Sequence, residues 1–145
     1  ACLHYINVKR GQKRKGSFEA YQGPSFGINE IRSALLKYGN KVDWEHTETS
    51  TLIKKSANLL NEGNVFGWFQ GKMEFGARAL GNRSILASPI FPGMQDRINS
   101  VIKKRELFRP FAPSILKEDI TDWFDISIDS PYMLMVANIN SNNQS

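Results

Sequence analysis

Cysteine is almost absent. Cys2 stands alone, which excludes an intramolecular disulfide and a cysteine zinc site. A lone thiol at this position reads as an inert packed side chain. The only histidines, His4 and His46, lie far apart and neither has a second ligand at metal spacing, so neither is assigned a catalytic role. No apolar run approaches the roughly 18 residues needed to cross a bilayer. The first ten residues lack the basic-then-apolar order of a secretory leader, so a cytoplasmic protein is expected. No internal repeat or low-complexity tract occurs, and no glycine cluster fits the Walker pattern or the dinucleotide fingerprint.

With 145 residues, 41% of them hydrophobic and 11% aromatic, the chain has the composition of one globular domain with a core. Charged residues at 23% argue against disorder. The formal net charge of +5 is local. Lys9, Arg10, Lys13, Arg14 and Lys15 supply five positive charges within seven residues, and the rest of the chain carries 14 basic and 14 acidic residues. Such a cluster among Gly, Gln and Ser reads as a solvated linker or exposed loop; a nucleic-acid contact is the alternative.

Helix and strand signals alternate, which points to an α/β sheet domain. Residues up to about Gln22 look like the end of another unit, a short apolar segment (Leu3 to Val8) followed by the basic loop. After the Gly23-Pro24 turn, Ser25 to Gly39 predicts a helix with Ile28, Ile31, Leu35 and Leu36 on one side. A second helix is expected from about Ser50, with Leu52, Ile53, Ala57 and Leu60 at helical spacing and Gly63 as its stop. A third, from Met94 to Lys104, would turn Met94, Ile98, Val101 and Ile102 inward. Strands are expected at Val42–Trp44, Val65–Phe69, Ser84–Ala87, Phe111–Leu116 and Tyr132–Val136. The polar last residues, Asn138 to Ser145, give no sign of a domain closing, and a fold incomplete at the C-terminus is expected.

The chemistry concentrates between Gly71 and Pro113. Gly71, Gly76 and Gly81 recur at five-residue intervals directly after a strand signal, interleaved with Lys72, Arg78 and Arg83. Glycine permits positive φ and close approach of a ligand, so the N–H groups of such a loop can point at phosphate oxygens. The competing reading is a tight loop between two strands, with Arg78 and Arg83 in surface ion pairs. A second cluster favours an anion. Lys103, Lys104, Arg105 and Arg109 precede Pro110-Phe-Ala-Pro113, and four cations in seven residues repel one another unless paired or neutralised. A planar guanidinium engages two phosphate or carboxylate oxygens at once. Reactions that displace phosphate or pyrophosphate need positioning and charge neutralisation more than a strong base. Glu74 and Glu106, the nearby carboxylates, read as internal partners of a neighbouring Arg or Lys.

Residues 67 to 87, Gly-Trp-Phe-Gln-Gly-Lys-Met-Glu-Phe-Gly-Ala-Arg-Ala-Leu-Gly-Asn-Arg-Ser-Ile-Leu-Ala, closely resemble the signature of the NodU/CmcH/TobZ O-carbamoyltransferases. Asp96-Arg-Ile-Asn99 and Ile102-Lys-Lys-Arg-Glu-Leu-Phe-Arg-Pro-Phe-Ala-Pro-Ser114 resemble the family's next block. The likeness extends more loosely from Gly23-Pro-Ser-Phe through Trp123-Phe to Ser130-Pro-Tyr-Met. It implies an α/β fold, a YrdC-like twisted sheet with flanking helices. Residues 1–22 would be the tail of a preceding actin-like ATPase-type domain plus a basic linker, and 23–145 the N-terminal part of the YrdC-like carbamoyltransferase C-terminal domain.

The resemblance further implies a transferase that uses ATP, with Mg2+, and carbamoyl phosphate. Carbamate attacks the α-phosphate, carbamoyl adenylate forms, and the carbamoyl group passes to a hydroxyl of a small-molecule acceptor. Acceptor binding and a histidine-bound metal would belong to the preceding domain. Partners would be these small molecules and that domain, with neither membrane nor nucleic acid. By motif, Arg78, Lys103 and Arg109 are implied as ligands of the phosphate and carbamoyl groups. Arg105, Lys72, Gly76 and Gly81 are implied around the nucleotide, with Arg83 there or supporting the loop. This sequence departs from the family at Lys72 (usually Arg), Ala77 (usually Pro) and Ser88 (usually Asp). The first change keeps charge but loses bidentate geometry, and the second makes the loop less rigid. The family's later Ser-x-Asn element is expected to have no counterpart before Ser145, so the segment alone is expected to be catalytically incomplete. Two other readings remain at this point: a threonylcarbamoyl adenylate synthase for tRNA modification, and a basic nucleic-acid-binding module.

Overall fold

A computed structural model describes residues 2–11 and 19–140. Lys13, Arg14 and Lys15, on which the basic-cluster reading rests, lie outside the described residues, as do the side chains of Cys2 and His4. The fold is mixed α/β. Helix α1 (Cys2–Lys9) is followed by α2 (Ile28–Tyr38), a 3-10 turn (Gly39–Lys41) and α3 (Thr49–Asn61). Strands β1 (Phe66–Phe69) and β2 (Arg83–Leu86) come next, then α4 (Met94–Arg97), which runs into a π-helical stretch (Ile98–Lys103). A 3-10 turn (Lys117–Asp119) leads into α5 (Ile120–Trp123). No helix among the described residues is long and apolar enough to cross a membrane.

Strand β1 pairs antiparallel with β2 in the register Phe66↔Leu86 to Phe69↔Arg83. Side chains alternate across a strand, and here Phe66 and Trp68 are half-buried while Gly67 and Phe69 are exposed. The connection between the strands, residues 70–82, is therefore a long loop anchored at both ends by one hairpin. Residues 20–24 brace its far side. Phe75 N–H donates to the Ala20 carbonyl (2.7 Å), Gly23 N–H to Met73 (2.9 Å) and Met73 N–H to Pro24 (2.9 Å). Gly23 is required there, since a Cβ would lie 2.9 Å from the Met73 Cβ and carbonyl oxygen.

Helix α2 begins where the Glu30 carboxylate accepts the Gly27 N–H at 2.8 Å, closing the first turn. Helix α3 ends at Gly63, whose φ of 78° suits glycine. Its carbonyl accepts from Arg97 Nη1 at 3.0 Å, which ties the end of α3 to α4. Ala20, Met94 and Ile98 are the buried apolar residues among those described. Much apolar surface stays open, including Ile28 and Leu36 of α2 and Ile53 of α3, so these helical faces are not buried as their periodicity predicts.

Several expected elements differ. Val42–Trp44, Phe111–Leu116 and Tyr132–Val136 are not strands. A β-prone run becomes a strand only when another backbone faces its N–H and C=O groups. Pro110 and Pro113 remove two donors near the second run. Beside the third, only an isolated bridge forms, Phe124 with Ile139. The helix expected over Met94–Lys104 exists but widens to π geometry after one turn. Met94 and Ile98 stay buried as expected, whereas Val101 (67% exposed) and Ile102 (42%) turn outward, because the wider turn breaks the 3.6-residue spacing.

Candidate anion site

The 70–82 loop is organised around a carboxylate of the chain itself. Glu74 is buried, and its Oε1 accepts the N–H groups of Leu80 (2.8 Å), Asn82 (2.7 Å) and Arg83 (3.3 Å). Burial pushes this carboxyl up, but the N–H donors of Leu80, Asn82, Glu74 itself and Arg83 prevail and hold its pKa below the ordinary value of 4.5. Two expectations are corrected here. Glu74 is an internal partner, but of backbone amides and not of an Arg or Lys. Those three amides are correspondingly not directed at an external phosphate.

Further bonds fix the loop. Asn82 Nδ2 donates to the Lys72 carbonyl (2.7 Å), Gln70 Nε2 to Gly81 (3.0 Å) and Tyr21 Oη to Leu80 (2.9 Å). The Gly81 N–H meets Ser84 Oγ at 3.0 Å. Gly76 and Gly81, with φ of 131° and 105°, take backbone conformations that other residues rarely adopt. Arg83 closes the base of the loop. Its Nη1 donates to the carbonyls of Gln70 (2.6 Å) and Asn82 (2.8 Å), Nη2 to Gly71 (3.3 Å), and the guanidinium lies 3.5 Å from the Phe69 ring centroid. This is the loop-supporting role. Lys72 and Arg78 are exposed at the loop surface, and neither side chain has a hydrogen bond or ion pair among the described residues. The reading in which Arg78 and Arg83 sit in surface ion pairs is therefore not realised.

The second cationic cluster follows the π-helical stretch. Lys103 is its last residue, and Lys104 caps it in the left-handed conformation at φ 48°. The chain then runs on without a strand, so the expected helix-to-strand junction is a helix-to-loop junction. At its centre Asn99 is fully buried. Its Nδ2 donates to the carbonyls of Leu107 (3.0 Å) and Arg109 (2.9 Å), and its Oδ1 accepts Arg105 Nε at 2.7 Å. Its main-chain carbonyl accepts the N–H of Arg105 at 2.9 Å. Gln95, one turn earlier, reaches the same Leu107 and Arg109 carbonyls at 3.3 and 3.1 Å. Arg105 also lies over the Phe111 ring, 4.9 Å from its centroid. Its two terminal nitrogens remain without a protein partner among the described residues.

Arg109 Nε pairs with Glu106 Oε2 at 3.0 Å, so Glu106 is the internal partner expected of it. Both side chains are more than half exposed, and such pairs contribute little. Lys103 and Lys104 have no partner among the described residues. The two clusters are thus each built locally, and no hydrogen bond or ion pair joins one to the other among the described residues. An open hollow of about 300 Å3 near α5, lined by Thr121, Phe124, Asp125, Ile126, Ser127 and Asn140, contains none of these cations. Ser141-Asn142-Asn143 has Ser-x-Asn spacing but lies outside the described residues.

Sequence reasoning missed the central role of Asn99. The available signal was an amide beside Ile98 in a helical stretch, four residues after Gln95.

Residues 57–145 match the family described as Carbamoyltransferase C-terminus. The chain is 47% identical over 133 residues to an uncharacterised protein of Synechocystis sp., covering 92% of this chain and 22% of that one. It is 43% identical over 109 residues to the nodulation protein NolNO of Sinorhizobium fredii, covering 74% and 16%. It is also 42% identical over 91 residues to the 3'-hydroxymethylcephem-O-carbamoyltransferase of Streptomyces clavuligerus, covering 63% and 17%. The chain therefore spans between 16% and 22% of the length of these three relatives.

Proposed function

The chain belongs to the carbamoyltransferase C-terminus family, and from that premise we propose that it supplies the phosphate- and carbamoyl-binding part of an O-carbamoyl-transfer site. One observation carries the reading. Lys72, Arg78, Lys103 and Lys104 are exposed cations with no carboxylate partner among the described residues, on loops whose backbones are held by internal polar bonds. Unpaired cations on a fixed frame suit a multiply charged ligand, because little ordering is left to be done on binding.

In this reading ATP and carbamoyl phosphate are the anionic substrates, and carbamoyl adenylate is the carrier of the carbamoyl group. Water first cleaves carbamoyl phosphate to carbamate and inorganic phosphate; a carbamate oxygen then attacks the α-phosphorus of ATP and pyrophosphate leaves, and a hydroxyl of a small acceptor takes the carbamoyl group with release of AMP and the hydroxyl proton. Arg78 and Lys103 neutralise charge on the reacting phosphoryl oxygens and on the leaving group. Arg109 joins them by exchanging its exposed Glu106 pair for a phosphate, which costs little. Arg105 offers two free nitrogens to a bidentate contact. Lys72 adds charge, and Gly76, Gly81 and Arg83 shape the loop that carries Arg78. Mg2+ would arrive on phosphate oxygens. Acceptor binding, and the histidine-bound metal implied by the resemblance, fall to another domain. ATP use fits work in the cytoplasm.

Arg78→Ala and Lys103→Ala in the full-length protein should each lower carbamoyl-dependent AMP and pyrophosphate release by about 100-fold or more, in line with removal of one transition-state charge donor. Both side chains lack structural bonds, so circular dichroism and thermal unfolding should match the parent. Full activity in both variants would defeat the assignment.

A further inference from the structure

We propose that Asn99 is a positioning residue that sets Arg105 and Arg109 as one anion-gripping unit. The inference rests on the site reading above and adds the residue through which the second cluster is held. Asn99 is fully buried, a position that polar side chains occupy only when their hydrogen bonds are made. Both ends of its amide are used in a fixed sense. The nitrogen holds the carbonyls of Leu107 and Arg109, and the oxygen holds Nε of Arg105.

The consequence for the two arginines is geometric. With Nε tied to Asn99 and the guanidinium over Phe111, Arg105 is held at two points, while its terminal nitrogens have no protein partner among the described residues. With its carbonyl tied to the same amide, the main chain of Arg109 is fixed relative to Arg105. The π-helical turn lets the Asn99 carbonyl meet the N–H groups of both Lys104 and Arg105. Lys104 is left-handed as a result, at a position where a residue other than glycine is strained. One residue thus reaches Arg105 by its side chain and main chain, and Arg109 through its carbonyl. Gln95 reinforces the two carbonyls but does not touch Arg105.

Asparagine is required in both senses of its amide. Aspartate has the same shape and could keep Arg105, but it would set oxygen against two carbonyl oxygens. Alanine would release both.

The test measures binding of inorganic pyrophosphate by the full-length protein. Asn99→Ala and Asn99→Asp should weaken it by about tenfold to a hundredfold, the range for losing hydrogen bonds to a charged group. Gln95→Ala should change it less than threefold. The readout that a merely structural role would not move is the double-mutant cycle. Asn99→Ala in an Arg105→Ala background should cost clearly less than in the parent, because the side chain it positions is already gone. Should Asn99→Ala fold poorly, Asn99→Ser, whose shorter side chain gives up the amide oxygen that holds Arg105, serves in its place in the same cycle. If Arg105→Ala weakens binding while folded Asn99 variants bind as the parent does, or if the losses simply add, the positioning role is overturned and the site stands. If Arg105→Ala binds pyrophosphate as tightly as the parent, both fall.

Discussion

Replacing Glu74 by Gln tests the interior of the glycine loop with the least change of shape. Its Oε1 accepts two short N–H bonds, from Leu80 and Asn82 at 2.8 and 2.7 Å, and one long one from Arg83 at 3.3 Å. Hydrogen bonds to a charged group contribute about 1.5–3 kcal/mol each. Counting only the two short bonds, their loss, as in Glu74→Ala, should therefore cost about 3–6 kcal/mol. Gln keeps a neutral acceptor in place, and charge-assisted bonds are roughly twice as strong as neutral ones. The expected cost is then about 2 kcal/mol, or about thirtyfold in the local opening equilibrium. Hydrogen exchange at the amides of Leu80, Asn82 and Arg83, followed as protection factors, reads this directly. Acidity gives a second arm. The Glu74 pKa is lowered in the folded loop, so its contribution is fully present above the ordinary value of 4.5 and is lost as pH falls below it through the folded value. The parent should lose protection in that acid window and Glu74→Gln should not. Equal protection in both proteins at neutral pH, or an identical acid response in both, would refute the reasoning.

Arg83→Lys should destabilise by about 1–3 kcal/mol despite keeping the charge, because an ammonium cannot span the three carbonyls or stack on Phe69; thermal unfolding measures it. Gly81→Ala should cost about 1–3 kcal/mol at a φ of 105°. Gly67→Ala, at an exposed strand position with nothing within 4 Å of its Cβ, should be neutral or stabilising by up to about 1 kcal/mol, and denaturant titration compares the two.

Local signals were legible in the sequence, and partners were not. The run Phe66–Phe69 and the short strand at Arg83–Leu86 announced themselves by β-prone residues, and they found each other across the loop. Helices α2 and α3 followed from apolar spacing and from Gly39 and Gly63. Phe111–Leu116 and Tyr132–Val136 carry similar β-prone content, but a strand also needs a facing backbone, and composition says nothing about where that backbone is. Val101 and Ile102 fail for another reason. Their inward placement assumed 3.6 residues per turn, and the π turn shifts everything after Ile98. In the candidate site, the cations were visible as types and positions. Their states were not, since whether Arg83 meets a carboxylate, a phosphate or three carbonyls depends on where Gln70, Gly71 and Asn82 come to lie.

The two halves of the candidate site solve opposite electrostatic problems. In the glycine loop the backbone presents convergent N–H groups, and Glu74 satisfies three of them from within. A phosphate therefore gains nothing there from those amides, and any attraction must come from side chains, which makes Arg78 and Lys72 the loop's usable charges. Beyond the π-helical turn the backbone presents convergent carbonyls, those of Leu107 and Arg109, and the amides of Asn99 and Gln95 satisfy them. Without that cover, two carbonyl oxygens at the centre of the cluster would lose their hydrogen bonds. In both places the backbone's own demand is met internally, by a buried carboxylate in one and a buried amide in the other. In the proposed site, the guanidinium of Arg78, the terminal nitrogens of Arg105 and the ammonium groups of Lys72, Lys103 and Lys104 are thereby left over for a ligand, whereas Arg83 and Arg109 have partners of their own. Asn99 bears more of that task than Glu74, because it also holds one of the guanidinium groups it frees.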